Sequence, residues 1–185
     1  MPRTPEQVYS ELLVLRCQGG DRGAAGELYA LWAPRLTRHA GRLLADPDKG
    51  AEAAQEAWVS IVGGIGSLAD PARFPSWAYR IVTNRCADAI RRAGRERRAV
   101  ERAGRESSVN QPTSPSDTQS DDLDRLRIAI RSLDDDHRVV VELFYLEGLG
   151  VAEIGRALGV PSGTVKSRLF NARRRLRDAL EGDMS

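Results

Sequence analysis

The sequence predicts an all-α protein whose two helical domains are joined by a flexible linker. Apolar residues recur three or four positions apart along most of the 185-residue chain, which is the spacing of a helix face. No alternating pattern long enough for a strand is present. Residues 107–120 hold two prolines and one aliphatic residue, which is typical of a linker. We therefore expect a first domain at 1–98, a linker at 99–120 and a second domain at 121–185.

The first predicted helix begins with a capping box, in which Thr4 caps the helix and Gln7 can bond back to it. Pro5 suits the first helical position, and two glycines at 19 and 20 end the segment. A second helix is predicted from Asp21 to Leu44, and Pro34 inside it predicts a kink or a break. The apolar residues of the first helix are expected to contact the rest of the domain: Val8, Leu12, Leu13 and Leu15.

The third predicted helix covers Ala51–Ile65 and ends in a glycine-rich stretch. After a proline-containing loop, Ser76 is expected to cap a fourth helix. The buried side of this fourth helix is predicted to consist of Trp77, Ile81, Cys86, Ala89, Ile90 and Ala93.

Helical patterns resume in the second domain over Asp121–Ser132 and Asp134–Leu146. The acids that open the second of these are expected to cap it and to complement its dipole, rather than to bind a metal. Two short amphipathic patterns follow, Val151–Leu158 and Thr164–Leu176, and the turn Gly159–Ser162 joins them. This is the layout of a helix-turn-helix, whose second helix enters the major groove of DNA.

The formal net charge is only +2, but its distribution is uneven. Residues 85–105 carry eight arginines against three acids, and residues 163–177 carry six cations and no acid. Each basic segment belongs to a helix with an apolar stripe. Two such segments predict two surfaces that face nucleic-acid phosphates. The plain alternative for either segment is a solvated helix face.

The last helix has a predicted buried stripe at Val165, Leu169, Ala172 and Leu176, so polar residues on its other side can meet DNA. Side chains near the start of such a helix reach base edges, whereas arginines serve phosphates. The candidates for base readout are Thr164, Lys166, Ser167 and Asn171. The candidates for phosphate contact are Arg168 and Arg174.

The fourth helix of the first domain carries a second set of candidates. Asn84 and Asp88 can bond base edges, and Arg91 and Arg92 can bind phosphates. Trp77 can stack on an unpaired base, although its place on the apolar stripe also fits a core residue.

An enzyme is the competing class, and the sequence gives it little support. The two histidines fall in different domains, and neither a nucleophile elbow nor a phosphate-binding glycine loop is present. We expect no catalytic residue, no metal and no cofactor.

Cys17 and Cys86 are expected to be buried free thiols in a reducing cytoplasm. Neither a signal peptide nor a membrane-spanning run is recognisable, which favours a cytoplasmic protein.

Three segments resemble the signature segments of extracytoplasmic-function sigma factors of bacterial RNA polymerase: Ala51–Trp58, Phe74–Arg92 and Gly163–Leu169. The resemblance covers both domains in order, with the linker where that family has one. The chain departs from the family pattern at Gly150, where a serine or threonine usually caps the first helix of the helix-turn-helix. It also departs at the glycine-rich stretch 63–66, which leaves the shape of the following loop (about 66–76) open.

The resemblance implies that the first domain binds core RNA polymerase through Glu52, Gln55 and Glu56. It implies that the helix from Trp77 to Arg92 and the loop before it read the −10 element as a single strand and help to open it. The second domain is then expected to read the −35 element as duplex. An anti-sigma protein that contacts both domains is a further partner of the family.

Two other interpretations stand beside this one. A stand-alone helix-turn-helix regulator would use the second domain, but it gives no role to Gln55, Glu56 or the first basic helix. A helical adaptor for protein partners would be favoured if the chain showed no salt-dependent binding to DNA.

Overall fold

The structure, a computed structural model, describes residues 5–102 and 121–181. Every regular element in these residues is helical, so the all-α prediction is confirmed. The chain divides into two compact units, Met1–Gln111 and Pro112–Ser185. Most of the expected linker, 103–120, lies outside the described residues. The α-helices are α1 Pro5–Gln18, α2 Arg22–Leu44, α3 Pro47–Gly64, α4 Phe74–Arg102, α5 Asp121–Ser132, α6 Asp135–Val141, α7 Val151–Leu158 and α8 Ser162–Glu181.

The core of the first unit lies where α2, α3 and α4 pack together. Trp32 of α2 forms edge-to-face contacts with two aromatic rings of α4, at 5.6 Å from Phe74 and 6.3 Å from Tyr79 between ring centroids. Ile61 of α3 is fully buried. Each such side chain contributes about 1.5–3 kcal/mol by leaving water, so these large residues hold the three helices together.

Helices α2 and α3 cross closely at a pair of glycines. A Cβ atom on Gly50 would lie 2.4 Å from the Cα atom of Gly41, a distance that real atoms do not reach. The turn between the helices is fixed by Asp46, whose carboxylate accepts hydrogen bonds from the N–H groups of Asp48 and Lys49. A kink or a break was predicted at Pro34, and the break is wrong, since α2 continues through this residue as one α-helix.

Helix α1 departs from the prediction for its apolar residues. Leu13 is buried, but Val8, Leu12 and Leu15 are 52%, 49% and 55% exposed. Polar contacts also attach α1 to α2, among them the hydrogen bond that Trp32 Nε1 donates to Ser10 Oγ at 2.9 Å. The capping residue predicted for α1, Thr4, lies outside the described residues.

Helix α4 starts earlier than predicted and buries a different face. It begins at Phe74, and the Ser76 hydroxyl donates to the carbonyl of Arg73 rather than capping the helix. Ile90 is 47% exposed and Ala93 is exposed, contrary to the prediction. Of the other predicted residues, Cys86 is buried, and Trp77, Ile81 and Ala89 are half-buried, because the buried face follows from Phe74, which anchors the start of the helix in the core. The buried face of α4 consists of Phe74, Ala78, Tyr79, Val82 and Cys86.

The second unit contains the predicted helix-turn-helix, formed by α7 and α8. Gly159 ends α7 in the left-handed conformation, at φ 69°. A Cβ atom on Gly155 would lie 2.9 Å from the carbonyl oxygen of Val160, so glycine permits the turn to fold back tightly. Gly150 has no side chain with which to cap α7, but its N–H donates to the Glu153 carboxylate at 2.7 Å. This bond is the half of a capping box that Glu153 supplies, and the half that an N-cap side chain would supply is missing.

The predicted helix Asp134–Leu146 has two parts, α6 and a π-helical turn over Glu142–Leu146. Asp134 caps α6 as predicted, since its carboxylate accepts from the N–H of His137 at 3.1 Å. Val139, Val140 and Leu143 are buried in the core of this unit.

No helix in the described part of the chain combines the length and the apolarity that crossing a lipid bilayer requires. Of the two cysteines, Cys86 is buried as predicted and Cys17 is half-buried. Burial raises the pKa of the Cys17 thiol, which keeps it protonated at neutral pH.

Candidate nucleic-acid interface

Helix α8 presents a basic face on the side away from its core contacts. Val165, Leu169 and Ala172 are buried at 0%, 3% and 0% exposure, as predicted, whereas Leu176, predicted on the same stripe, is only half-buried. A helix turns about 100° per residue, so positions 163, 167, 170 and 174 lie roughly opposite this stripe. Of the predicted duplex-contacting residues, the exposed ones are Lys166, Ser167 and Arg174, and the half-buried ones are Thr164, Arg168 and Asn171.

Arg168 differs from the other predicted residues in what it contacts. Its guanidinium donates to the Asp136 carboxylate of α6 at 2.5 Å, and its side chain is 22% exposed. Arg175, two turns further along α8, makes the matching contact to Asp134 at 2.5 Å. The structure therefore brings Arg168 together with α6 rather than with Lys166 and Arg174.

A third arginine of α8 is held by aromatic rings. Arg173 lies 5.7 Å from the ring centroid of Phe144 and 5.6 Å from that of Tyr145, and its Nε donates to the Tyr145 hydroxyl at 2.7 Å. Cation–π contacts of this kind fix the guanidinium in place. Phe170, by contrast, is 66% exposed among the cations of α8. Its spacing places it on this side of the helix, although it is not among the predicted readout residues.

The candidates on α4 lie along one side of the helix. Positions 77, 84, 88 and 91 are separated by seven, four and three residues, which places them on one stripe opposite the buried face. Asn84, Arg91 and Arg92 are exposed, and Asp88 is half-exposed. Arg85, on the flank of this stripe, donates to the hydroxyl of Ser60 at 2.9 Å and so connects α4 to α3.

Two of the α4 candidates pair with each other. The Arg91 guanidinium donates to the Asp88 carboxylate at 2.5 Å, and this hydrogen bond lowers the pKa of Asp88 below its usual range. Asp88 is therefore ionised at neutral pH. The carboxylate oxygens of Asp88 therefore bond to Arg91 as well as to any base that Asp88 contacts. Asn84 carries no charge and forms no ion pair.

Trp77 lies at the junction of α3 and α4. It is half-buried, and its ring centroid is 6.1 Å from that of Phe74. A Cβ atom on Gly64 would lie 3.1 Å from the indole ring, so this glycine makes room for it. Within the glycine-rich end of α3, Gly64 therefore has a packing role. Part of the indole remains open to solvent at the start of the α4 stripe.

The predicted polymerase contacts form a patch on α3. Glu52, Gln55 and Glu56 are all exposed, on the side opposite the buried alanines of that helix. Val59 and Val62 continue the same face and are 73% and 57% exposed. Neither valine is among the residues predicted for this patch. The spacing of positions 52, 56 and 59 is the sequence signal that identifies Val59 as a member of this face.

Within the described residues, no group of three histidine, cysteine, aspartate or glutamate side chains is arranged to hold a metal ion. The acids at the start of α6 act as a cap and as ion-pair partners.

Both halves of the chain match family models. The model described as Sigma-70 region 2 matches residues 28–96, and the one described as Sigma-70 region 4 matches residues 123–176. The first match holds most of α2, all of α3 and the α4 stripe. The second holds α6, α7 and the basic face of α8.

Several curated relatives are similar along both units. The ECF RNA polymerase sigma factor SigM of Mycobacterium tuberculosis is 33% identical over 171 residues, which cover 92% of this chain and 84% of that protein. SigE of Mycolicibacterium smegmatis is 32% identical over 166 residues, which cover 87% of this chain. The chain spans 64% of the length of that SigE, which is less than two thirds.

A solved structure has the same fold. The sigma factor RpoE of Bartonella quintana, described in a co-crystal with the anti-sigma factor NepR, superposes with a TM-score of 0.70 and 24% sequence identity. The alignment covers 84% of this chain and 96% of that one. The two family models match this chain in the order in which sigma factors carry the two regions, and SigM is similar along both units. These findings together establish the family. The chain belongs to the extracytoplasmic-function RNA polymerase sigma factors, which direct transcription initiation.

Proposed function

We propose that this sigma factor holds promoter DNA with two separate surfaces. The basic face of α8 binds the −35 element as duplex, with Thr164, Lys166, Ser167, Asn171 and Arg174 at the groove. The observation that carries the proposal is the position of that face on the second helix of a helix-turn-helix, where exposed cations and hydrogen-bonding side chains lie together. Arg168 lies at the border of this surface, and its bond to Asp136 supports a contact within the domain rather than with DNA.

The α4 stripe is the proposed surface for the −10 element. Asn84 and Asp88 can hydrogen-bond to base edges, and Arg91 and Arg92 can bind the flanking phosphates. The half-buried Trp77 offers an aromatic ring on which an unpaired base can stack. A surface that combines a ring, hydrogen-bonding groups and cations suits an opened strand better than a closed duplex, because an opened strand exposes its base faces.

We assign the exposed face of α3 to the contact with core RNA polymerase. Glu52, Gln55 and Glu56 supply charge and hydrogen bonds, and Val59 and Val62 supply an apolar area beside them. Exposed aliphatic residues of this size, bordered by charges, are typical of a surface that a partner covers. The chain acts by binding alone, without chemistry of its own, and works in the cytoplasm with the polymerase.

An anti-sigma protein is the proposed regulatory partner. The proposal is supported by the similar fold of the Bartonella quintana sigma factor, which is described in complex with such a protein. A protein that covered either the α3 face or the α8 face would block one of the contacts that initiation requires.

Transcription in vitro with core polymerase and a genomic promoter library tests the proposal directly. We expect the chain to direct initiation from a subset of promoters that share −35 and −10 sequences. The Asn84→Ala variant is expected to start at an altered set of −10 sequences with the −35 preference unchanged. Duplex binding without any directed initiation would instead identify a stand-alone regulator. An identical promoter profile for Asn84→Ala would remove Asn84 from the −10 surface.

A further inference from the structure

Two arginines on one edge of α8 are held by acids that open α6. Arg168 and Arg175 are seven residues apart and lie on the same side of the helix. Arg168 donates to Asp136, and Arg175 donates to Asp134, both at 2.5 Å. The two helices pack directly against each other, so these ion pairs connect two elements of one unit.

The same edge of α8 carries two of the proposed base contacts. Thr164 lies one turn before Arg168, and Asn171 lies between Arg168 and Arg175 at helical spacing. Arg168 and Arg175 therefore border the groove-facing surface. Long arginine side chains at that border are well placed for the phosphates beside the groove, unless something else holds them.

One of these acids, Asp134, is itself held in place by further hydrogen bonds. Asp134 also accepts hydrogen bonds from the ring and the backbone N–H of His137, which fix its carboxylate in place. The bond from the His137 ring is the main reason that the pKa of Asp134 falls to about 2, and the bond from Arg175 adds to it. The carboxylate is thus ionised at every pH at which the protein would meet DNA.

We infer that Asp134 and Asp136 keep Arg168 and Arg175 away from DNA phosphates and so limit sequence-independent binding. The inference rests on the proposed binding of duplex DNA by α8. Phosphate contacts raise affinity for every sequence alike, whereas base contacts distinguish one sequence from another. The two acids pair with the arginines at the border of the groove-facing surface and therefore raise the ratio of specific to non-specific affinity. This makes Asp134 and Asp136 specificity-determining residues.

The test compares binding of the full chain to a duplex of random sequence over a range of salt concentrations. Asp136→Asn releases Arg168 while keeping the size of the side chain. We expect non-specific affinity to rise several-fold at low salt. The slope of log affinity against log salt should steepen by about 0.9, because Arg168 then neutralises one more phosphate. Adding Arg168→Gln to Asp136→Asn should abolish both increases.

Asp135→Asn is the matched control. Asp135 is the neighbouring residue, 74% exposed, and its carboxylate pairs with Arg138 of its own helix rather than with α8. Its replacement changes the net charge by the same amount in the same helical turn. We expect the salt slope of the Asp135→Asn variant to match that of the unaltered chain.

Equal increases in Asp135→Asn and Asp136→Asn would overturn the inference, because removal of negative charge alone would explain them. Weaker binding in Asp136→Asn would also overturn it, because the acid would then serve to position α8. A failure of the proposed function looks different. In that case the unaltered chain shows no salt-dependent binding to the random duplex, and none to a duplex selected from a randomised library.

Discussion

The six cations between positions 163 and 177 are equivalent in charge but not in what they contact. Arg168 and Arg175 bind acids of α6, and Arg173 lies against two aromatic rings. Within the residues that the structure describes, Lys166, Arg174 and Arg177 form no ion pair and are exposed. A ligand can engage these three without breaking an internal contact, and Lys166 and Arg174 are the two that the sequence placed on the DNA-facing side.

Replacing Lys166 and Arg174 together with alanine is therefore expected to weaken duplex binding strongly. The slope of log affinity against log salt should fall by about 0.9 for each phosphate that these side chains neutralise. Fluorescence anisotropy with a duplex selected from a randomised library measures both quantities. Lys49→Ala, which removes an exposed cation from the first unit, is the control and should leave both unchanged. An unaltered affinity and slope in the double variant would exclude this face of α8.

Asp134 makes the stability of the second unit depend on pH. Its pKa is lowered from 3.8 to about 2 in the folded protein, mainly by the hydrogen bond from His137. A lowered pKa means that the ionised carboxylate stabilises the fold above about pH 4, and that this contribution is lost as the pH falls through about 2. Chemical denaturation of the full chain between pH 5 and about 2 measures the decrease.

Asp134→Ser is the informative variant, because serine can still cap α6 but cannot titrate. We expect the free energy of unfolding to depend less steeply on pH in this variant over the same range. Identical pH profiles for the variant and the unaltered chain would show that other carboxylates cause the acid sensitivity.

At the scale of the elements, the close crossing of α2 and α3 sets the geometry of the first unit. Gly50 is buried against the backbone of Gly41, and any side chain at position 50 would collide with that backbone. The crossing fixes the direction of α3, which carries Glu52, Gln55 and Glu56 on its outer side. The proposed polymerase surface thus depends on a contact at the opposite side of the same helix.

Gly50→Ala is expected to force α2 and α3 apart and to lower the free energy of unfolding by about 1–3 kcal/mol, as overpacked cores do. Gly26→Ala is the matched control on α2. A Cβ atom there meets nothing within 4 Å, so alanine should stabilise the helix by about 0.5–1 kcal/mol. Denaturant titration measures both. A Gly50→Ala variant as stable as the unaltered chain would mean that the crossing can widen at no cost.

At the scale of the whole molecule, the proposed function requires surfaces on both units at once. The α3 face and the α4 stripe belong to the first unit, and the basic face of α8 belongs to the second. Disruption of the proposed polymerase contact should therefore abolish directed initiation while DNA binding by α8 continues. This separation distinguishes a sigma factor from a stand-alone regulator.

Glu56→Arg reverses a charge at the centre of the α3 face and is expected to reduce co-purification with core polymerase at least tenfold, which corresponds to about 1.4 kcal/mol. Its circular dichroism and its duplex binding should be unchanged, since Glu56 is exposed. Glu96→Arg makes the same charge change on the exposed end of α4 and serves as the control. Normal co-purification of Glu56→Arg would remove this face from the polymerase contact.

The sequence by itself determined the helical class, the helix-turn-helix and the cap at Asp134. These features depend on local rules: the 3.6-residue period, capping side chains and a glycine in the left-handed conformation at position 159. The resemblance in the segments 51–58, 74–92 and 163–169 was equally local, and it identified the family that the comparisons confirmed.

Only the tertiary structure decided which apolar residues are buried and which cations are paired with other side chains of the fold. Val8, Leu12 and Val59 have the same hydrophobicity as core residues, and only the packing of neighbouring helices left them exposed. Arg168 looked like a phosphate contact because its partner, Asp136, is 32 residues away and meets it only in the folded unit. Periodicity reports the faces of one helix, whereas an ion pair between helices depends on how the two pack together.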